Sequence, residues 1–144
     1  MKKSKHFEII ARAIIVNRGK VLLCRLKGAT WRFFPGGHVE FQEAAEDALR
    51  RELKEETGMT VKKNELIGIV ENVFSYKGFL RHEINLVFKV DVRRADVRNL
   101  ENHLQLDWKN IRELDNTKIL PEALKRGFIK WFKNKKFFWG SNIK

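Results

Sequence analysis

Three observations predict an α+β domain whose mixed sheet is covered on both faces. Several β-branched or apolar runs are punctuated by glycine turns, one well-terminated helical stretch sits among them, and an amphipathic helix follows near the C-terminus. With 144 residues, 43% of them hydrophobic, the chain is the size of one ordinary domain and can bury a single sizeable core. No second domain is expected, and repeats, low-complexity tracts and linkers are absent.

Residues 7–16 and 21–26 are mostly β-branched or apolar and flank Asn17-Arg18-Gly19-Lys20, a turn with the glycine such reversals favour, so they read as a hairpin. Trp31-Arg32-Phe33-Phe34-Pro35 is aromatic and ends at a proline that cannot donate to a central ladder, which makes it a short edge segment or loop leading into Gly36-Gly37. Residues 38–41 add a short strand. A helix over residues 44–57 closes at Gly58, placed where a left-handed cap is wanted. Residues 66–76 and 79–92 form a second hairpin about Lys77-Gly78. Residues 93–102 carry mixed charge without periodicity and read as a surface loop, and 104–108 form one more strand. Pro121 occupies a first-turn position, and Leu124, Phe128, Trp131 and Phe132 recur at helical spacing, marking a closing helix.

The helix over 44–57 departs from plain amphipathicity. At about 100° per residue, Ala44, Ala45, Ala48 and Leu49 share one sector, opposite Glu46, Asp47, Arg50 and Lys54. Continued toward the C-terminus, the apolar stripe brings up Glu52, Glu55 and Glu56, so these acids are expected to point inward. Carboxylates at i, i+3 and i+4 lie about 5–6 Å apart at their β-carbons and repel each other at neutral pH. Protonation or a bound hard cation would hold them together. Mg²⁺ suits the arrangement, because it takes one or two protein carboxylates and completes its octahedron with water and substrate phosphates.

Thirty Lys+Arg against eighteen Asp+Glu give a formal net charge of +12. That field attracts polyanions, whether nucleotides, nucleic acid or acidic membrane surfaces, without choosing among them. The basic N-terminus leads into an apolar stretch broken by Glu8 and Arg12 and too short to span a bilayer, so neither a signal peptide nor an anchor is expected. The lone Cys24 lies in an apolar run and reads as a buried, inert thiol. Nothing in this calls for an oxidising compartment, and a cytoplasmic setting is the expectation.

Gly37, Glu43 and the run Arg51-Glu52-Leu53-Lys54-Glu55-Glu56-Thr57-Gly58-Met59 match the Nudix box at every defined position, so residues 37–59 resemble the signature of the Nudix hydrolase superfamily. The preceding strand pair and the Trp-x-x-x-Pro-Gly-Gly approach resemble that family more loosely. The resemblance implies an α/β/α sandwich and Mg²⁺- or Mn²⁺-dependent hydrolysis of a nucleoside diphosphate linked to another group. It also implies that Glu52, Glu55, Glu56 and the Gly37 carbonyl surround the metal, while Glu43 and Arg51 form an internal ion pair bracing loop against helix. One of the three helix acids, or an acid elsewhere, would serve as general base.

Outside the box the residues speak less specifically. Glu101 resembles a position from which some Nudix enzymes draw an additional acid, with Glu83 and Asp96 as competitors; each reads mainly as a solvated loop charge. His38 and His82 read mainly as structural histidines. Arg25, Lys27 and Arg32 are candidates to grip phosphates, with Arg25, Arg32 and Glu101 the chosen substrate-binding candidates. Trp31, Phe33, Phe34 and Phe74 read mainly as core, with base stacking as the other use. The tail from Lys130 to Trp139 interleaves basic and aromatic residues, as single-stranded nucleic-acid platforms do; Trp131 and Phe132 are assigned to the helix seam, and Phe137, Phe138 and Trp139 stay open. The leading expectation is a hydrolase of a small nucleotide substrate, monomeric or homodimeric and not membrane-bound. The rivals are a basic Nudix-like module that binds nucleotide or RNA without cutting it, and a hydrolase of RNA 5′ ends.

Overall fold

The structure, a computed structural model, describes residues 5–93 and 102–144. Most of the predicted loop 93–102, with Asp96 and Glu101, lies outside the described residues. Among the described residues, eight strands and two α-helices follow one another as β1 (Lys5–Ile14), β2 (Val16–Asn17), β3 (Lys20–Leu26), β4 (Gly36–His38), α1 (Ala45–Thr57), β5 (Val61–Tyr76), β6 (Phe79–Val92), β7 (Leu104–Asn110), a 3-10 turn (Ile111–Asn116), α2 (Glu122–Asn134) and β8 (Phe138–Ser141). A five-stranded mixed sheet runs in the order β4-β1-β6-β5-β8, and a three-stranded sheet in the order β2-β3-β7. Within the larger sheet β1 runs parallel to β6 and β8 parallel to β5, whereas β5 with β6 and β1 with β4 are antiparallel.

The predicted sandwich is present because strands in its middle are apolar on both faces. Along β6, Val87 joins the cluster that holds Leu124, Phe128 and Trp131 of α2, whereas Phe88 and Val90 join the cluster that holds Ala48, Leu49 and Leu53 of α1. Successive strand side chains point to opposite faces, so a single strand feeds both layers. β3 does the same, with Val21 and Leu23 on the α2 side and Leu22 on the α1 side. Fully burying Leu124 or Phe128 stabilises the fold by about 1.5–3 kcal/mol each.

The first predicted hairpin is corrected. Arg18 and Gly19 adopt positive φ, 52° and 76°, and the chain does reverse there, but only the last three residues before the turn, Ile15, Val16 and Asn17, bond back onto β3. β1 leaves for the other sheet, where it lies between β4 and β6. The second hairpin forms as expected about Lys77 and Gly78, with β5 beginning earlier, at Val61. The short strand placed at 38–41 is instead Gly36–His38; Phe41 is 94% exposed in a turn whose Gln42 has φ 67°. α1 ends at Gly58 with φ 74°, as its sequence predicts.

At the C-terminus the open aromatics separate. Phe138 is buried on β8, while Phe137 and Trp139 are 57% and 62% exposed. Gly68 of β5 and Gly127 of α2 both face the Phe138 ring, and a β-carbon on either would collide with it. No helix among the described residues is long and apolar enough to cross a membrane.

Candidate active site

The Gly36-Gly37 segment approaches α1 as strand β4, hydrogen-bonded antiparallel to β1 through the register Arg12↔Gly36 and Ala11↔Gly37. Because neither glycine has a side chain, the carboxylates of α1 come directly against the backbone. The Gly36 N–H donates to Glu56 Oε1 at 3.1 Å. The Glu52 carboxylate occupies the space that a β-carbon on Gly37 would take. Loop backbone and helix acids therefore share one small volume.

The three acids are not equally inward. Glu56 is 5% exposed and stands near Cys24, whose Sγ lies 3.9 Å from its Oε2; Cys24 itself is buried as expected. The Glu52 side chain is 19% exposed and that of Glu55 53%. Successive helical residues step by about 100°, which places Glu55 about 60° from Glu52 on the side away from Glu56. The expected inward stripe thus holds for Glu56, partly for Glu52, and gives way to solvent at Glu55.

Two of the acids, Glu52 and Glu55, are held by a device absent from the expected pair of protonation and bound cation. Arg51 Nε and Nη2 donate to the two Glu43 carboxylate oxygens, each at 3.0 Å, and Nη1 donates to Glu52 Oε1 at 2.8 Å. Nη2 also reaches the His38 carbonyl at 3.0 Å, and Nη1 lies 3.7 Å from Glu55. A planar guanidinium has donors enough to serve all of these acceptors at once. The brace expected of Glu43 and Arg51 is therefore also the counter-charge of Glu52 and Glu55. Among the described residues, no three Asp, Glu, His or Cys side chains converge as a ready-made cage. The donor set is nevertheless all oxygen, carboxylates beside backbone, which fits a hard cation that keeps several waters and takes few protein ligands.

The brace is also a titration device. The hydrogen-bonded Arg51 guanidinium, aided by the Glu40 N–H, holds the Glu43 carboxyl down from 4.5 to about 2. Arg51 is correspondingly raised, by Glu43 first and then Glu52, further into the alkaline range. Because the folded-state value of Glu43 lies below the unfolded one, its stabilising contribution is complete above about pH 4.5 and is lost as pH falls toward about 2. Thermal melts across that window should show Glu43→Gln losing less stability with acid than the parent chain does. Parallel acid limbs in the two proteins would refute the assignment.

A cleft of about 960 Å³ opens on the α2 side of the larger sheet and meets the box at β4, through His38. Its walls include Trp31, Phe33, Phe74 and Tyr76. Of the aromatics expected mainly in the core, Phe34 alone is fully buried, 1% exposed. A polar network lies at and just beneath the floor, with Arg12, Asn72, Glu83 and Asn142 lining the cleft and Asn85 fully buried. Arg12 Nε donates to Asn85 Oδ1 at 3.3 Å, and Asn85 Nδ2 and Asn72 Nδ2 donate to Glu83 Oε1 at 3.1 and 3.2 Å. Asn142 Nδ2 donates to Asn72 Oδ1 at 2.9 Å. Glu83, read from sequence as a solvated loop charge, is corrected to a strand carboxylate only 6% exposed.

The residues chosen as phosphate grips go elsewhere. Arg25 donates to Gln105 across β3 and β7, and Arg32 pairs with Asp107 at 3.3 Å; neither lines the cleft. His38 pairs with Glu8 at 3.1 Å, and His82 lies against Phe7. The network residues escaped sequence reading because they come from distant parts of the chain, from Arg12 on β1 to Asn142 beyond β8. Polar residues within the apolar run of β6, Glu83 and Asn85, were the signal that could have marked them.

A model of the NUDIX domain matches residues 7–132. The chain is 26% identical over 129 residues to an ADP-ribose pyrophosphatase of Methanocaldococcus jannaschii, covering 88% of this chain and 75% of the relative. It is 35% identical over 133 residues to a candidate 8-oxo-dGTP diphosphatase of Bacillus subtilis (strain 168), covering 92% and 70%. Among solved structures, a mutator MutT protein of Bacillus halodurans superposes with a TM-score of 0.74 at 27% identity over 93% of this chain and 88% of that one. The box is complete, the sandwich is in place and the match spans nearly the whole described fold: this chain belongs to the Nudix family and is a hydrolase of phosphoanhydride bonds.

Proposed function

We propose that the chain is a single-domain, cytoplasmic enzyme that hydrolyses the pyrophosphate bond of a nucleoside diphosphate linked to another moiety. Its cofactor in this reading is Mg²⁺, with Mn²⁺ able to substitute, held by Glu52, Glu55, Glu56 and the Gly37 carbonyl. The observation that carries the reading is the packing of Glu52 and Glu56 against the Gly36-Gly37 backbone beside an aromatic-walled cleft. The names of the relatives, an ADP-ribose pyrophosphatase and a candidate 8-oxo-dGTP diphosphatase, support a nucleotide substrate.

When bound, a divalent cation offsets phosphate charge and lowers the pKa of a coordinated water. The chain's own residues prepare the rest. The Gly36 N–H fixes the Glu56 carboxylate by one oxygen, and Arg51 fixes Glu52 likewise, so neither acid has to be ordered when substrate arrives. Arg51 also lowers the repulsion among the acids before they are loaded. A proton released from the attacking water has a carboxylate acceptor within the same group. The net charge of +12 raises the local concentration of phosphorylated substrates.

The direct test is incubation with Mg²⁺ or Mn²⁺ and a panel of nucleoside triphosphates, ADP-ribose, nucleotide sugars and dinucleoside polyphosphates. A 5′-triphosphorylated oligonucleotide completes the panel, because exposed Phe137 and Trp139 beside Lys136 offer a surface for RNA. Metal-dependent phosphoanhydride cleavage of a small nucleotide is expected. Cleavage confined to the oligonucleotide would move the substrate class to RNA 5′ ends, and no cleavage in any arm would overturn the proposal.

A further inference from the structure

We infer that Glu83 is a specificity-determining residue that selects nucleobases bearing an exocyclic amino group over those bearing a carbonyl at the same place. The inference rests on the nucleotide reading above. Its starting point is a chemical asymmetry among the acids of the cleft. Glu8 is paired with Arg81 and with His38, and Glu122 with Arg126. Glu83 is the most buried of the three and, among the described residues, the one in no ion pair. It is held instead by two side-chain amides, from Asn72 and Asn85, and both donate to the same oxygen, Oε1.

A carboxylate oxygen accepts about two hydrogen bonds, so Oε1 is filled, and among the described residues Oε2 has no donor. Oε2 is not among the sealed polar atoms that lack a partner, and Glu83 lines the cleft, so this oxygen opens into the cavity. An acceptor left without a donor at 6% residue exposure is costly, and a ligand that supplies the donor recovers that cost. Asn72 and Asn85 cannot turn to supply it. Asn72 accepts from Asn142 while donating to Oε1, and Asn85 accepts from Arg12 while donating to Oε1 and to the Val70 carbonyl at 3.3 Å. The network pins Glu83 in one orientation, with one acceptor presented.

The aromatic walls formed by Trp31, Phe33 and Phe74 suit the flat face of a base, and stacking on them tolerates every base. Discrimination therefore falls to the polar floor. A lone carboxylate oxygen accepts from the amino group of cytosine or adenine, as acidic side chains do from cytosine N4. The carbonyl that replaces it in uracil or hypoxanthine brings acceptor against acceptor, which excludes by repulsion as well as by a lost bond.

The test compares matched pairs: CTP with UTP, and ATP with ITP, by kcat/KM in the presence of Mg²⁺. Binding of CMP, UMP, AMP and IMP, followed by tryptophan fluorescence, provides a readout independent of hydrolysis. The parent protein is expected to favour the amino member of each pair by on the order of tenfold or more in both readouts. In Glu83→Gln the side chain can keep its oxygen toward Asn72 and Asn85 and offer its amide nitrogen to the cleft, so the preference should vanish or reverse. Circular dichroism establishes that the variant is folded, and the parent's own discrimination decides the question if it is not. Equal hydrolysis and binding of both members by the parent would overturn the inference while leaving the proposed activity intact. Base-selective binding without hydrolysis would sustain the inference and sink the proposed activity. Neither binding nor hydrolysis of any nucleotide would overturn both.

Discussion

Glu56→Gln should reduce metal-dependent kcat/KM by at least on the order of 10²-fold while leaving the melting temperature near that of the parent. Partners that merely orient a metal ligand are worth about 10- to 100-fold when removed, and a ligand itself is worth more. Glutamine is the informative replacement because its carbonyl oxygen can still accept from the Gly36 N–H, so the 3.1 Å contact between loop and helix survives and the charge alone is deleted. A buried carboxylate is also costly to keep charged, so a neutral replacement that leaves the Gly36 N–H satisfied is expected to cost little stability. Activity and stability are therefore expected to move independently. Assays with Mg²⁺ and with Mn²⁺, beside thermal melts of the same preparation, measure both. Glu52→Gln should behave alike, although it also frees one Arg51 donor. Turnover within threefold of the parent in both variants would remove these residues from the site.

Gly36→Ala should have the largest effect on stability. Its φ of 142° lies where only glycine is at ease, and a β-carbon there would collide with the Ala11 carbonyl oxygen, with the Ala11 carbonyl carbon and Arg12 Cα each at 3.0 Å. These are backbone atoms of β1, the partner strand, so no side chain can swing aside. Strain at such a φ costs about 1–3 kcal/mol, and forcing packed backbone apart costs about 1–3 kcal/mol more. The expected loss is about 3–4 kcal/mol, a fall in Tm on the order of 10 °C. Gly78 supplies the control, since its φ is 78° but nothing lies within 4 Å of an added β-carbon. Gly78→Ala should show the dihedral strain alone, about 1 kcal/mol. Equal losses in the two variants would mean that the contact with β1 does not matter.

What was legible in the sequence was local. The α1 boundary could be read because Gly58 sits where a left-handed residue ends a helix, and the Glu43-Arg51 pair because its spacing belongs to a recognisable motif. The destination of β1 was not legible. The Asn17-Arg18-Gly19-Lys20 turn specifies a reversal within four residues, but whether the upstream strand follows β3 or crosses to β6 depends on apolar faces that only the assembled sheet presents. Ala11, Ala13 and Ile15 meet the α1 layer while Ile14 meets the α2 layer, so both faces of the run carry apolar residues and neither gives its partner away. The counter-charge role of Arg51 was hidden for a related reason. Its contact with Glu43 could be expected from the motif, but its reach to Glu52 and Glu55 follows from how the guanidinium lies along α1. The floor of the cleft was hidden most thoroughly, since Arg12, Asn72, Glu83, Asn85 and Asn142 become one network only after β1, β5, β6 and the segment beyond β8 are brought together.

The seat of Phe138 ties distant parts of the chain into a single inherited unit. Gly68 and Gly127 stand 59 positions apart, yet each is bare because the same ring lies over it. Drift at any one of the three positions is constrained by the other two. A descendant that gains a methyl group at 127 has to shrink the residue at 138, and one that loses the ring leaves room for side chains at both glycines. Substitutions there should be inherited as compensated sets, and a lone change at either glycine would persist only where the C-terminal strand has been released from β5.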